Sequence, residues 1–161
     1  MGKPISIIMG SQSDLETVRE AIAVLKEFKV GFEVKVLSAH RTPKELAEYV
    51  EKAPQRGTKV FIAAAGGAAA LAGVIASHTT LPVIGIPIET KSLKGLDSLL
   101  SIVQMPAGIP VATVAIGKPG AKNSALLALE ILGVSDRKIQ AKLKDYKKEM
   151  RAKINRIKLK V

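Results

Sequence analysis

The feature that most constrains this chain is a regular alternation of short β-rich runs with longer amphipathic stretches, from one end to the other. The patterning predicts strands over residues 5–9, 32–37, 60–64, 82–86 and 111–116. Between them it predicts helices over 14–28, 43–52, 68–77 and 93–103, followed by two more over 121–132 and from about 136 onward. Repeating strand–helix units demand a parallel sheet with right-handed crossovers and helices on both faces. The expected fold is therefore α/β: a three-layer, doubly wound, five-stranded parallel sheet with strand order 2-1-3-4-5 and an extended C-terminal helix. Residues 1–161 carry no low-complexity linker, repeat or composition break, so a single domain is expected.

Composition agrees with that architecture. The apolar residues are mostly Ala, Val, Ile and Leu, and Trp is absent, which suits strands buried on both faces. No apolar run approaches the roughly 20 residues of a membrane helix, and the first residues enter a strand pattern without the layout of a signal peptide. Cysteine is absent. That excludes disulfides and thiolate sites and makes the cytoplasm the expected compartment.

The net charge of +11 raises the possibility of a nucleic-acid partner, but its distribution argues against one. Residues 137–161 hold eleven Lys or Arg against Asp145 and Glu149, a balance of +9 that leaves +2 for the other 136 residues. The same segment carries Ile139, Leu143, Tyr146, Met150, Ile154 and Ile157 at helical spacing. Such a helix is expected to pack on its own protein or on a neighbouring subunit with its Lys residues solvated. Neither a nucleic-acid partner nor a membrane partner is expected.

Two helix starts read as capping boxes, Ser13-Asp14-Leu15-Glu16 and Thr42-Pro43-Lys44-Glu45, each a hydroxyl with Glu three positions on. Pro43 falls at the first helical position, where its missing N–H costs nothing. Three strand-to-helix turns then lie at the carboxyl ends of the first three strands, where open α/β sheets bind ligands. The first, Gly10-Ser11-Gln12-Ser13-Asp14, combines hydroxyls, a carboxylate and free amides at a helix start, a setting that suits phosphate. Ser13 is accounted for as a cap, whereas Ser11 and Asp14 are candidates for ligand contact. The second, Ser38-Ala39-His40-Arg41-Thr42-Pro43, holds a His that titrates near neutrality and an Arg whose planar fork matches phosphate. The third, Ala65-Gly66-Gly67-Ala68-Ala69-Ala70, lets backbone approach a ligand closely. His78, at the far end of the following helix, reads as a C-terminal cap.

Other chemistries are excluded. No Walker loop or G-x-G-x-x-G occurs, no G-x-S-x-G elbow, and no H-E-x-x-H; the two His are far apart. A site for an anionic, phosphorylated small molecule with one general acid/base survives.

The three turns, with Leu-Pro-Val-Ile-Gly-Ile-Pro at 81–87, Gly-Leu-Asp-Ser-Leu-Leu-Ser-Ile-Val-Gln-Met-Pro at 95–106 and Gly-Ile-Pro-Val-Ala-Thr-Val-Ala-Ile at 108–116, closely resemble the PurE family over essentially the whole chain. The resemblance implies a flavodoxin-like subunit in a homo-octamer. It also implies interconversion of N5-carboxyaminoimidazole ribonucleotide and 4-carboxyaminoimidazole ribonucleotide in de novo purine biosynthesis. In the family's reaction the carbamate is thought to release carbon dioxide inside a closed pocket, without metal or organic cofactor. By the same resemblance His40 is the general acid/base, Arg41 meets the phosphate, Asp14 the ribose, and Ser11, Ser13, Ser38, Ala39, Gly66, Gly67 and Ala68 complete the substrate site. The third turn and the loop at Gln104-Met105-Pro106 are expected to exclude water. One departure stands in the third turn, where mutases of the family usually carry Gly-Gly-Ala-Ala-His-Leu-Pro-Gly. Here Ala70 replaces the His and Ala72 the Pro. The alternative it raises is an aminoimidazole ribonucleotide carboxylase using free carbon dioxide.

Overall fold

The computed structural model of the protein describes residues 2–159; Met1, Lys160 and Val161 of the expected domain and basic tail lie outside the described residues. Five strands, β1 (Ile5–Met9), β2 (Phe32–Val36), β3 (Val60–Ala65), β4 (Val83–Pro87) and β5 (Ala112–Thr113), form one sheet. All pair in parallel, in the order β2-β1-β3-β4-β5. The helices are α1 (Leu15–Glu27), α2 (Pro43–Lys52), α3 (Leu71–Ser77), α4 (Leu96–Val103), α5 (Gly117–Gly133) and α6 (Arg137–Asn155). The expected doubly wound fold is therefore the observed one. The fifth strand is shorter than the pattern over 111–116 suggests: Ala112 and Thr113 pair with Ile84 and Gly85 of β4, and the Val114 N–H makes one further bond to Gly85 O at 3.1 Å.

β1, β3 and β4 are buried along their whole lengths, as a sheet covered on both faces requires. On one face Ile8, Phe61, Ala63 and Val83 pack with Leu46 and Val50 of α2, Leu71, Ala72 and Ile75 of α3, and Ile102 of α4. Alternation along the strands turns Ile7, Ile62 and Ile84 the other way. That face is covered by α1 and the first turns of α5, which an ion pair of 2.7 Å between Lys118 and Glu16 joins.

By internal contacts the chain divides into two compact units between Ala128 and Leu129. In the second, Asp136 caps α6 by accepting the Lys138 and Ile139 N–H groups, and Lys147 pairs with Glu130 at 2.8 Å. The apolar stripe of α6 divides. Leu143 is buried, while Met150 and Ile154 stay exposed, as does Ile157 just past the helix end.

Gly85 in β4 sets how closely α4 approaches the sheet. A Cβ there would overlap Ile102 Cγ2 and stand 3.2 Å from Val111 and 3.3 Å from Ala72. Gly85→Ala is expected to push α4 outward and destabilise the protein by about 1–3 kcal/mol, the usual cost of overpacking. Denaturant unfolding checks it through a lower midpoint at unchanged slope.

Candidate functional site

The three turns meet at the carboxyl edge of the sheet because parallel pairing ends β1, β2 and β3 on the same side. Strand hydrogen bonding continues into them: Leu37 N–H donates to Met9 O at 3.0 Å and Gly10 N–H to Ala64 O at 3.1 Å. Together they line a pocket of about 580 Å3 that includes Ser11, Ser13, Asp14, Ser38, Ala39, His40, Arg41, Gly66 and Ala68. Gly67 lies in the same turn without lining the pocket wall.

In the first turn the local chemistry differs from the expected capping box. Ser11, extended at φ −151°, is the residue that caps, and a short 3-10 turn over Gln12–Asp14 precedes α1. Ser11 Oγ accepts the Ser13 N–H at 3.3 Å, and Asp14 Oδ2 reaches back to the Ser11 N–H at 3.2 Å. The start is shifted because Asp14, not Glu16, is close enough to close the reciprocal pair. The single Ser13 hydroxyl proton is within reach of Ser11 Oγ at 2.9 Å and of Asp14 Oδ1 at 3.3 Å. Ser13 is thus exposed and free of the cap role, while Ser11 holds it.

The second turn also departs from its expected box. Thr42 makes no side-chain cap to α2. Its hydroxyl accepts the Ser38 N–H at 2.8 Å and donates to Ser38 O at 3.1 Å, closing the loop on itself. Pro43 does occupy the first turn of α2, as expected. Arg41 lies across two turns: Nη2 donates to Gly10 O at 2.7 Å and Nε to Ser38 Oγ at 3.3 Å. Its position is set by carbonyl and hydroxyl acceptors, with guanidinium donors left over for an anion. His40 is exposed in the pocket wall between them.

In the third turn Gly67 adopts φ +67°, a conformation open to glycine. Its N–H donates to Ser98 Oγ at 3.0 Å, so that amide is not available to a ligand. Gly66, Ala68 and Ala69 keep N–H groups without an acceptor among the described residues. Ile88, Glu89 and Thr90, at the end of β4, form the remaining wall. Sequence reasoning passed over them, although they end a strand on the same edge as the other three turns. The Gln104-Met105-Pro106 loop does not line this pocket. Met105 lies over α3 instead, where a Cβ at Gly73 would come within 3.2 Å of its Sδ.

A larger groove, about 940 Å3, opens at the opposite end of the sheet between His78, Glu51, Pro82 and Pro110. It sits at the amino ends of β4 and β5, away from the helix starts and ligand-binding edge of such folds. His78 caps α3 there and meets Glu51 at 3.0 Å, consistent with a structural role.

Doubly wound folds of this kind hold their ligand sites outside the carboxyl ends of the strands, at the reversal of strand order, which is where this pocket lies. The AIR carboxylase family model matches residues 4–153, and the chain belongs to that family. It is 59% identical over 150 residues to the N5-carboxyaminoimidazole ribonucleotide mutase of Pyrococcus horikoshii, covering 93% of this chain and 84% of that protein. With the mutase of Saccharolobus solfataricus it shares 56% identity over 147 residues, 91% and 92% of the two chains. The crystal structure of Treponema denticola PurE superposes with a TM-score of 0.85 at 29% identity, covering 93% of this chain and 92% of that one.

Asp14 is 7% exposed. Burial raises its pKa above the ordinary 3.8, and the Ser13 hydroxyl, the Ser11 amide and the Arg41 charge offset the rise only in part. As pH climbs from about 4 towards neutrality, the folded protein keeps this proton longer than the unfolded chain does, so ionisation of Asp14 removes stability over that interval. Asp14→Asn keeps an acceptor for Ser11 and a donor towards Ser13. It is expected to melt higher than wild type at pH 7, with the difference closing as pH falls through the raised pKa. Thermal unfolding at pH 7 and pH 4 checks the sign; a variant less stable at pH 7 would refute it.

Proposed function

We propose that the protein is an N5-carboxyaminoimidazole ribonucleotide mutase of purine biosynthesis, with the pocket at the carboxyl edge of the sheet as its active site. The observation that carries the reading is the meeting of His40, Arg41, Asp14 and the small-residue third turn in one pocket, in a chain so similar to enzymes bearing that name.

In this reading Arg41 takes the substrate phosphate with the donors not engaged by Gly10 and Ser38, a charge-assisted contact of the strong kind. Asp14 accepts from the ribose hydroxyls, with Ser11, Ser13 and Ser38 as polar neighbours and Ala39 leaving room beside the base. The carbamate C–N bond then breaks. Its electron pair stays on the exocyclic nitrogen, which takes a proton, and carbon dioxide is freed. The ring carbon attacks that carbon dioxide and loses its own proton, so the net change is one carboxyl group and one proton exchanged between two atoms of the substrate. A single imidazole can serve both proton transfers, and His40 supplies the imidazole that lines this pocket. Gly66 and Ala68 bring backbone close to the transferring carboxyl group, with Gly67 turning the chain between them. Free carbon dioxide as donor is the less favoured reading despite Ala70, since relatives bearing the mutase name match the chain at 52–59% identity.

The same reading makes the enzyme a cytoplasmic homo-octamer. Supporting association, Leu96, Leu100 and Val103 stand 48–51% exposed at helical spacing along α4, with Leu93 57% exposed in the turn before it, more contiguous apolar surface than isolated leucines leave. Among the described residues no helix is long and apolar enough to cross a membrane.

The deciding assay offers the carbamate-bearing ribonucleotide at low bicarbonate beside the bare ribonucleotide with controlled carbon dioxide. Faster direct conversion of the first is expected, and His40→Asn is expected to lower its kcat by about a hundredfold or more while ligand still binds. Product from the bare ribonucleotide alone would replace the mutase with the carboxylase. For assembly, Leu100→Glu is expected to yield smaller particles by light scattering; an unchanged mass would clear that stripe of any interface role.

A further inference from the structure

The strongest unassigned feature lies behind the third turn. Ser98 is fully buried in α4, yet its hydroxyl is fully engaged: Oγ accepts the Gly67 N–H at 3.0 Å and donates to Ile88 O at 2.7 Å. One helical turn on, Ser101 Oγ donates to Gly67 O at 3.3 Å. Residues three apart share a helix face, so α4 grips both polar groups of the one residue held at φ +67°. Thr90 secures the same wall by donating to Asp97 Oδ1 at 2.8 Å and accepting the Gly95 N–H at 3.2 Å. Ile88 and Thr90 line the pocket directly beside the third turn, where a Cβ on Gly66 would stand 3.5 Å from Ile88 and 3.7 Å from Thr90.

A buried hydroxyl bridging two strand exits is costly to desolvate unless both bonds form. The sheet does not need it for pairing, because Ile88 N–H is already bonded to Ala65 O at 2.9 Å. What the hydroxyl adds is the distance between the Gly66–Gly67 turn and the end of β4. That distance sets how tightly two walls of the pocket close.

We propose that Ser98, with Ser101, is a positioning residue that holds the Gly67 turn against the end of β4 so that carbon dioxide freed in the pocket is kept for the ring carbon. This rests on the mutase reading. The clamp touches neither Arg41 nor Asp14, so its loss leaves ribonucleotide affinity in place and opens an escape route for the intermediate. The carbamate still fragments, the exocyclic nitrogen still takes its proton, and the bare ribonucleotide and carbon dioxide leave separately.

The test measures both fates of the carbamate-bearing ribonucleotide, carboxylated product and bare ribonucleotide, after subtracting enzyme-free decay. Wild type is expected to give almost entirely carboxylated product. Ser98→Ala, which removes both hydrogen bonds, is expected to lower kcat for that product by about tenfold or more, at little-changed KM, with a clear rise in the bare ribonucleotide. Ser101→Ala, at an exposed position, is expected to shift the partition the same way by less, and it decides the matter if Ser98→Ala does not fold. An unchanged partition in the folded variants, whatever their rates, overturns the proposal and leaves the serines a supporting role in the fold. If wild type makes no carboxylated product from the carbamate, the mutase reading has failed rather than the clamp. The clamp is then judged on the bare ribonucleotide with carbon dioxide: a higher KM for carbon dioxide in the variants supports it, and an unchanged one overturns it.

Discussion

Parallel pairing of β1, β3 and β4 is the constraint from which the pocket follows. In-register partners, Met9 beside Ala64 and Ala64 beside Ile86, bring the strand ends to one level. The chain must leave each strand there to begin its crossover. Parallel strands thus deliver their turns to one edge without any attraction between those turns. The aliphatic composition serves this directly, since Ala at 63, 64 and 65 in β3 leaves room for helices on both faces.

Once the turns are adjacent, hydrogen bonds across them set the fine geometry. Arg41 ties the second turn to Gly10, 31 residues earlier in the chain, and Ser98 ties the third to the end of β4. Burying Asp14 beneath this arrangement has a cost, visible in its raised pKa. The neighbouring hydroxyl, amide and guanidinium offset part of it. A carboxylate held at such a disadvantage is poised to gain from new donors, which ribose hydroxyls would supply.

The outer surface divides in a comparable way. α4 turns Ser98 and Ile102 inward, while Leu96 and Leu100 face solvent, so the helix that supports the third turn also exposes the most regular apolar stripe. In an assembly that covers the stripe, packing at the interface would press on the helix that shapes the pocket. The exposed end of the α6 stripe, at Met150 and Ile154 with Ile157 just beyond the helix, is a second apolar surface, and its surrounding Lys and Arg explain why net charge alone was a poor guide to function.

By itself the sequence determined the strand–helix alternation, the parallel sheet, the start of α2 at Pro43, and the three strand-to-helix turns, two of them polar and one of small residues. These follow from periodicity and from residues two to four apart, which interact whatever the rest of the chain does. It did not determine which hydroxyl bonds to which group. Ser11 rather than Ser13 caps the first helix, and Thr42 closes on Ser38 instead of capping α2, because each has several acceptable partners locally and packing selects among them. Ile88 to Thr90 join the pocket only because β4 lies beside β3. Ser98, read along the chain, is one serine in an amphipathic helix; its two bonds exist because Gly85 lets α4 settle onto the sheet beside a glycine 31 residues away in sequence.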